Sequence, residues 1–373
     1  MFGKSFTLGK IFGITIRVDY SWFIVFALIS VSLARGYFPG NYQFDLTTNI
    51  FLGVVTAILF FVSVLIHELT HSLVGNRYGA RIKRITLFIF GGAAELEKEP
   101  PSPSMEFKMA IVGPLSSLAI GFLCYLLLDQ SKSLSLPTAL QAIFDALGFF
   151  NISVAIFNLL PGYPLDGGRL LRAVIWHFKK DLVASTEIAV TGGKILANLL
   201  IFGGLFLFII GDSLSGLWLA MIGIFLNFAA EASMSQTRLQ QLFSKVKVKA
   251  LMTKGAVDLE NDLKMSIVYD FYLLKNKLSG YPVLKRGNLI GMLYLEKLAG
   301  IGPIKRDVEV ENYMTKLTKK QIVSPDDSVL KAQLIMVKNH LPSLPVYNGK
   351  ILTGIISQSD INHYLFFKAI SFK

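Results

Sequence analysis

A single cysteine, Cys124, occurs in the 373 residues of this chain, which excludes an intrachain disulfide and any metal framework built on several thiolates. Charged side chains are scarce too: Asp, Glu, Lys and Arg make up 17% of the sequence, against about a quarter in ordinary soluble proteins. Such a chain is not expected to be soluble throughout. Acidic residues are the scarcer sign, with 25 Asp and Glu against 37 Lys and Arg and a net charge of +12. In a soluble protein that excess would point to nucleic acid. Here the basic residues cluster beside apolar segments, so anchoring against anionic lipid accounts for them and no nucleic-acid partner is expected. A cleavable signal pattern is also missing, because Lys4, Lys10 and Arg17 punctuate a short N-terminal tail rich in Gly and aromatic residues before a full-length span.

Apolar residues are abundant, at 53% of the chain. Stretches approaching the roughly 20 residues that cross a hydrocarbon core run at about 20–33, 50–74, 105–128, 142–160, 188–210 and 214–232, the first long enough only if extended towards Val18 and Tyr37. The links after the first, third and fifth contain only Arg35 and Lys132 as basic residues. Those after the second and fourth contain Arg77, Arg81, Lys83, Arg84, Lys98, Arg169, Arg172, Lys179 and Lys180. This asymmetry predicts a multi-pass protein of the cell membrane with both termini cytoplasmic.

Within the second stretch lies His67-Glu68-Leu69-Thr70-His71, preceded by the uncharged run Phe51 to Ile66. Helical residues four apart share a face, so His67 and His71 can ligate one metal ion while Glu68 stands beside it as a general base. Ionisable groups are costly at membrane depth and mark function. The span enters from outside, so His67 lies about 24 Å along it at ~1.5 Å per residue, near the cytoplasmic side of a ~30 Å core. A catalytic zinc needs a third protein ligand and an open position. Cys124 and Asp145 fall at the outer ends of their spans, His340 and His363 in the polar tail, and His177 beside Lys179 and Lys180 in a solvated loop. Asp166 remains, in the stretch Asn158-Leu-Leu-Pro-Gly-Tyr-Pro-Leu-Asp166-Gly-Gly-Arg169, where prolines and glycines break the helix at the matching depth. Broken backbone there belongs in buried protein or beside a wet cavity. The alternative role for Asp166 is a cap on the helix starting near Gly168. Asn158 suits either an oxyanion contact or a hydrogen bond between helices.

Together with Pro161, Pro164-Leu165-Asp166-Gly167-Gly168, Gly113-Pro114-Leu115 and Gly91-Gly92, the motif resembles the site-2 protease family of intramembrane zinc metalloproteases over most of residues 1–230. The resemblance implies one zinc ion bound by His67, His71 and Asp166, Glu68 activating water, and Asn158 near the substrate carbonyl or oxyanion. It also implies membrane-spanning protein substrates, cut in or near the bilayer.

The segment from Arg84 to Glu95 is too short to span and rich in β-forming residues, with Gly91 and Gly92 inside it. It reads as a re-entrant strand or hairpin whose free edge could take an extended substrate by strand addition, or as a surface hairpin without substrate contact. Glu231 and Asn227 read as polar groups at the cytoplasmic end of the last span.

Beyond Ala232 the chain turns polar, through a helical linker at 233–247. Then it repeats: Met252-Thr253 returns as Met314-Thr315, Pro282-Val283 as Pro345-Val346, and Gly291-Met-Leu as Gly354-Ile-Ile. A period of roughly 60 residues with alternating strand and helix patterns is a duplicated α/β module. The copies, at about 248–305 and 308–368, resemble a pair of CBS domains, which implies an adenine nucleotide such as ATP in the cleft between them. Ser357 and Asp360, in Gly354-Ile-Ile-Ser-Gln-Ser-Asp360, match the residues that hold the nucleotide in that family. Tyr294-Leu-Glu-Lys297 departs from the pattern in the first copy, so one nucleotide site is expected, with structural dimerisation to a homodimer as the alternative.

The expected fold class is therefore a polytopic α-helical membrane protein of about six transmembrane helices with a short re-entrant β segment, followed by a soluble tandem CBS domain. Residues 1–232 are expected to form the metalloprotease domain and 248–373 the regulatory one. A CBS-regulated channel or transporter is the competing reading. A conduction path would spread polar groups through the membrane, whereas this chain concentrates them at one level.

Overall fold

The structure is a computed structural model, and it describes residues 5–96, 100–211, 213–255, 257–273, 278–299, 307–349 and 351–371. Lys4 and Lys98, used above for the N-terminal tail and the charge asymmetry, lie outside the described residues, as does the end of the first repeat at 300–305. The chain divides into two compact units, Met1–Thr237 and Arg238–Lys373.

The first unit opens with strands β1 (Ser5–Ile11) and β2 (Ile14–Asp19), followed by α1 (Trp22–Ser32), a wide π-type turn at Leu33–Tyr37 and α2 (Phe38–Asn41). The turn carries the first span on to Asn41, which gives it 20 residues. Then come α3 (Leu46–Arg77), strands β3 (Ile82–Phe88) and β4 (Gly91–Leu96), α4 (Pro103–Ser133), α5 (Thr138–Asn158), α6 (Asp166–Lys179), α7 (Leu182–Ile209) and α8 (Ser213–Lys245). Among the described residues, six helical segments are long and apolar enough to cross a membrane. Their outer faces carry the residues a water-soluble fold would bury: Leu199, Phe202, Phe206 and Ile209 of α7 are all exposed. Exposed apolar area of this kind marks contact with lipid. The protein is thus a multi-pass membrane protein.

Local sequence accounts for the helix ends. Asp45 accepts hydrogen bonds from the Thr47 and Thr48 amides at the start of α3, Ser102 caps α4 ahead of Pro103, and Asp181 caps α7, each satisfying donors that helix starts leave over. The last helix continues without interruption from Ser213 to Lys245, so the polar 233–245 stretch extends it.

The four strands form one sheet in the order β1-β2-β3-β4. β1 and β2 form an antiparallel hairpin, β2 runs parallel to β3 through Thr15–Arg84 to Val18–Leu87, and β3 returns antiparallel to β4. Ile14, Ile16 and Ile85 of the sheet pack on Leu65 and Leu69 of α3. The sheet is thereby fixed to the helix that carries the HELTH motif.

A buried ion pair joins two other elements. Glu106, near the start of α4, is fully buried and accepts from Nε (2.7 Å) and Nη2 of Arg172 on α6. The Arg172 guanidinium also lies over the Tyr163 ring, 5.0 Å from its centroid.

In the second unit, β5 (Thr253–Lys254), β6 (Leu259–Glu260), α9 (Met265–Ile267), β7 (Gly280–Lys285), β8 (Asn288–Tyr294) and α10 (Leu295–Ala299) make the first repeat. β9 (Thr315–Lys316), α11 (Val329–Asn339), β10 (Ser343–Asn348), β11 (Ile351–Ser357) and α12 (Gln358–Ser371) make the second. The repeats exchange strands. β5 pairs with β11 of the second hairpin, setting Thr253 against Ile355, and β9 pairs with β8 of the first, setting Thr315 against Met292. Tyr294 is buried between the copies and donates to the Ser343 carbonyl at 2.9 Å.

Removing one partner of a buried ion pair leaves an uncompensated charge at a cost of about 3–5 kcal/mol, whereas replacing both with apolar groups is far less harmful. Arg172→Met should therefore lower stability by about that amount in detergent, read by thermal unfolding, and Glu106→Leu with Arg172→Met should recover most of it.

Candidate metal centre and active-site cavity

Four elements converge on the HELTH motif. His67, Glu68 and His71 come from the C-terminal half of α3, Asp166 from the first residue of α6, Gly113 and Ser117 from α4, and Gly91 to Ala94 from β4. Helical spacing puts His67 and His71 on one side of α3 with ring centroids 4.8 Å apart. Their Nε2 atoms are 3.1 Å apart. The Asp166 Oδ2 lies 3.1 Å from His67 Nε2 and 3.0 Å from His71 Nε2. These three atoms form a nearly equilateral triangle. A tetrahedral zinc site with bonds of about 2.0–2.1 Å has edges of about 3.3 Å, so the triangle has the size and donor set of one face of such a site.

The far side of each imidazole fixes what the near side offers. His71 Nδ1 donates to the Met109 carbonyl at 2.6 Å, and a carbonyl only accepts, so in the neutral ring Nε2 carries the lone pair. His67 Nδ1 lies 2.9 Å from the buried Ser117 hydroxyl, which serves the same orienting role. The His71 lone pair, the His67 Nε2 and a carboxylate oxygen therefore face one point. Such donors repel one another until a cation stands among them. Asp166 does not cap its helix: Leu165 occupies that position and no side-chain cap is made.

Space for an ion depends on one glycine. A Cβ at Gly113 would overlap the His71 imidazole and come within 2.7 Å of His67 Nε2. Gly92 plays a corresponding part beside the candidate base, since a Cβ there would collide with Cγ of Glu68 and lie 2.9 Å from its Oε1.

His67, Glu68, His71 and Asp166 line a cavity of about 770 Å³. Its other walls come from the aromatic and aliphatic residues of α1, α3, α5 and α8, from Phe88 to Ala94 of the hairpin, and from Asn158 and Arg169. Asn158, the last residue of α5, thus faces the same space as the triangle. Phe90, at the hairpin turn, stacks on Phe225 of α8 with centroids 3.9 Å apart. Within the sheet, β4 is the edge strand on the cavity side, β1 forming the other edge.

Other candidates lie elsewhere. Asp145 accepts from the Tyr37 and Tyr42 hydroxyls at 3.1 and 3.0 Å. Cys124 is buried in α4. His177 is exposed, but on the last turn of α6 and not in a loop: the amphipathic run after Gly168 keeps the chain helical to Lys179. Glu231 pairs with Lys194 at 2.8 Å on an exposed face. In the second unit, Asp360 Oδ2 accepts from the Ser357 amide (2.8 Å) and hydroxyl (2.7 Å), and Thr253 Oγ1 lies 3.4 Å from Asp360 Oδ1. The equivalent place in the first repeat holds Lys297, 3.1 Å from Thr315 Oγ1. Sequence reading missed Ser117, Met109 and Gly92 as supports of the site, because each acts through a contact between distant segments.

The family model for peptidase family M50 matches residues 55–143 and 130–202, and that for the CBS domain matches residues 310–366. The zinc metalloprotease MJ0392 of Methanocaldococcus jannaschii is 34% identical over 359 residues, covering 96% of this chain and 95% of that protein. Stage IV sporulation protein FB of Bacillus subtilis is 39% identical over 109 residues, 29% of this chain and 36% of its own. Among solved structures, the site-2 protease from Methanocaldococcus jannaschii is 30% identical, with a TM-score of 0.41, over 61% of this chain and 94% of that one.

Fold, donor triangle and relatives define a membrane-embedded zinc metallopeptidase. The chain belongs to peptidase family M50, the site-2 proteases, and carries a C-terminal CBS domain.

Because the Gly113 Cβ would take the space of the ion, Gly113→Ala should reduce bound zinc from about one ion per chain to a small fraction of that, measured by metal analysis of purified protein.

Proposed function

We propose that residues 1–232 cleave membrane-spanning helices of substrate proteins at a zinc ion held by His67, His71 and Asp166, and that the CBS pair regulates this activity. The observation that carries the reading is the convergence of His67 Nε2, His71 Nε2 and Asp166 Oδ2 to within 3.1 Å of one another on a cavity wall. When bound there, zinc supplies Lewis-acid polarisation of the scissile carbonyl and activation of water at neutral pH.

The chain's own residues supply the rest. Glu68, next to His67 and lining the same cavity, takes the proton of the attacking water and returns it to the leaving nitrogen. The Met109 carbonyl holds His71 in the ligating tautomer, and Ser117 orients the His67 ring. Asn158 donates to the oxygen on which charge develops. A helical substrate hides its carbonyls in its own hydrogen bonds, so it must first be unwound. The edge strand β4, whose Gly91 to Ala94 line the cavity, suits addition of an extended substrate segment beside the donor triangle. We read the β3–β4 hairpin as the re-entrant segment on that account. The basic residues of the links after the second and fourth spans support a cytoplasmic placement of both termini and of the CBS pair.

For regulation, Ser357 and Asp360 present a hydroxyl and a carboxylate beside Thr253, a set that suits the two hydroxyls of a ribose. The reading assigns one adenine nucleotide such as ATP to that place, and the lysine at 297 supports one site per pair and not two. The same atoms also make a cap for α12, which stabilises the helix start.

Glu68→Gln should keep zinc at wild-type stoichiometry and lose about 10²–10⁴-fold in cleavage of a helical test substrate. Chelation should abolish cleavage by the wild type, with zinc restoring it. Full activity of Glu68→Gln would overturn the proteolytic assignment of this site. In the full chain, Asp360→Ala should weaken ATP binding at least about tenfold by calorimetry, the worth of one lost charge-assisted contact.

A further inference from the structure

Two arginines stand one turn apart on α6 and are treated differently by the fold. Arg172 is buried, ion-paired with Glu106 and stacked on Tyr163. Arg169, three residues after Asp166 and so on the same side of the helix, lines the cavity instead. Its hydrogen bond among the described residues goes to the Met109 thioether at 3.6 Å, a weak acceptor. No carboxylate among the described residues lies within ion-pair distance of it. The guanidinium nonetheless lines the same cavity as Glu68 and His71. A planar cation with five donors, set against apolar walls and given one poor partner, is built to receive an anion from outside the chain.

We propose that Arg169 is a catalytic residue that takes up the negative charge formed at the scissile carbonyl, first as the oxyanion and then as the carboxylate of the new C-terminus. The inference rests on the proteolytic reading above. The water oxygen bonds to the carbonyl carbon, Glu68 takes one water proton, and the carbonyl oxygen becomes anionic. The C–N bond then breaks, and both water protons end on the departing amine. One product leaves as an ammonium and the other as a carboxylate, the flat two-oxygen anion that a guanidinium binds with two parallel hydrogen bonds. Asn158 is neutral and cannot balance that charge. Water exclusion by the surrounding Phe and Leu side chains strengthens the attraction.

The test uses full-length, zinc-loaded protein in detergent. In the Glu68→Gln background, a peptide ending in a free carboxylate should bind at least about tenfold more tightly than its C-terminal amide, and adding Arg169→Met should erase the difference. With Glu68 intact, Arg169→Met should lower kcat about 10²–10³-fold with little change in KM and unchanged zinc content, and Arg169→Lys should restore part of the rate. Wild-type kcat in Arg169→Met, or a carboxylate preference that persists without Arg169, would overturn the proposal. So would a loss of rate that merely tracks a loss of zinc. If Arg169→Met fails to fold, the decision passes to Arg169→Lys, whose carboxylate preference must fall below that of the wild-type arginine for the proposal to stand. Full activity of Glu68→Gln alone would remove the proteolytic reading itself, an outcome distinct from failure at Arg169.

Discussion

Two imidazole nitrogens and a carboxylate oxygen held about 3 Å apart in apolar surroundings repel one another, and much of the membrane unit serves to hold them so. The sheet is packed on α3 through Ile14, Ile16 and Ile85, which sets the helix bearing both histidines. Helix α4 orients each ring from behind through Ser117 and the Met109 carbonyl and leaves room in front at Gly113. The third donor opens α6, whose course is tied to α4 by the Glu106–Arg172 pair. Repulsion at the centre is thus opposed by packing, hydrogen bonds and one buried ion pair around it. A cation completes the balance.

Much of this was legible in the sequence, for reasons that differ by residue. His67 and His71 could be placed on one face because helical spacing is a local property, and Asp166 could be singled out because Pro161, Gly162 and Pro164 break the chain at a matching depth. The six spans followed from length and hydropathy, although the first gains its length from a π-type turn at Leu33–Tyr37 that no pattern announces. The parallel pairing of β2 with β3 joins residues 69 positions apart, Thr15 with Arg84 for one, with α1, α2 and α3 between them, and composition cannot foretell such pairing. Gly92 and Gly113 were visible as parts of motifs, but the reason for their small size is a neighbour from another helix or strand.

The second unit shows the same division. Its duplication was evident from repeated short motifs, and the hairpins β7–β8 and β10–β11 fall where those motifs do. The departure at Lys297 was equally visible, and in the structure it leaves the first copy with a base where the second has an acid, each beside a threonine of the strand that arrives from the other copy. One scaffold therefore carries two chemically unlike clefts.

That mutual donation of strands has a consequence for how the tail is built. Because β5 completes the sheet of the second hairpin and β9 that of the first, neither half owns a finished sheet. Separated at the midpoint, each would expose a raw edge that only its sibling can cover, so the pair must be inherited, truncated or transplanted as a single indivisible block.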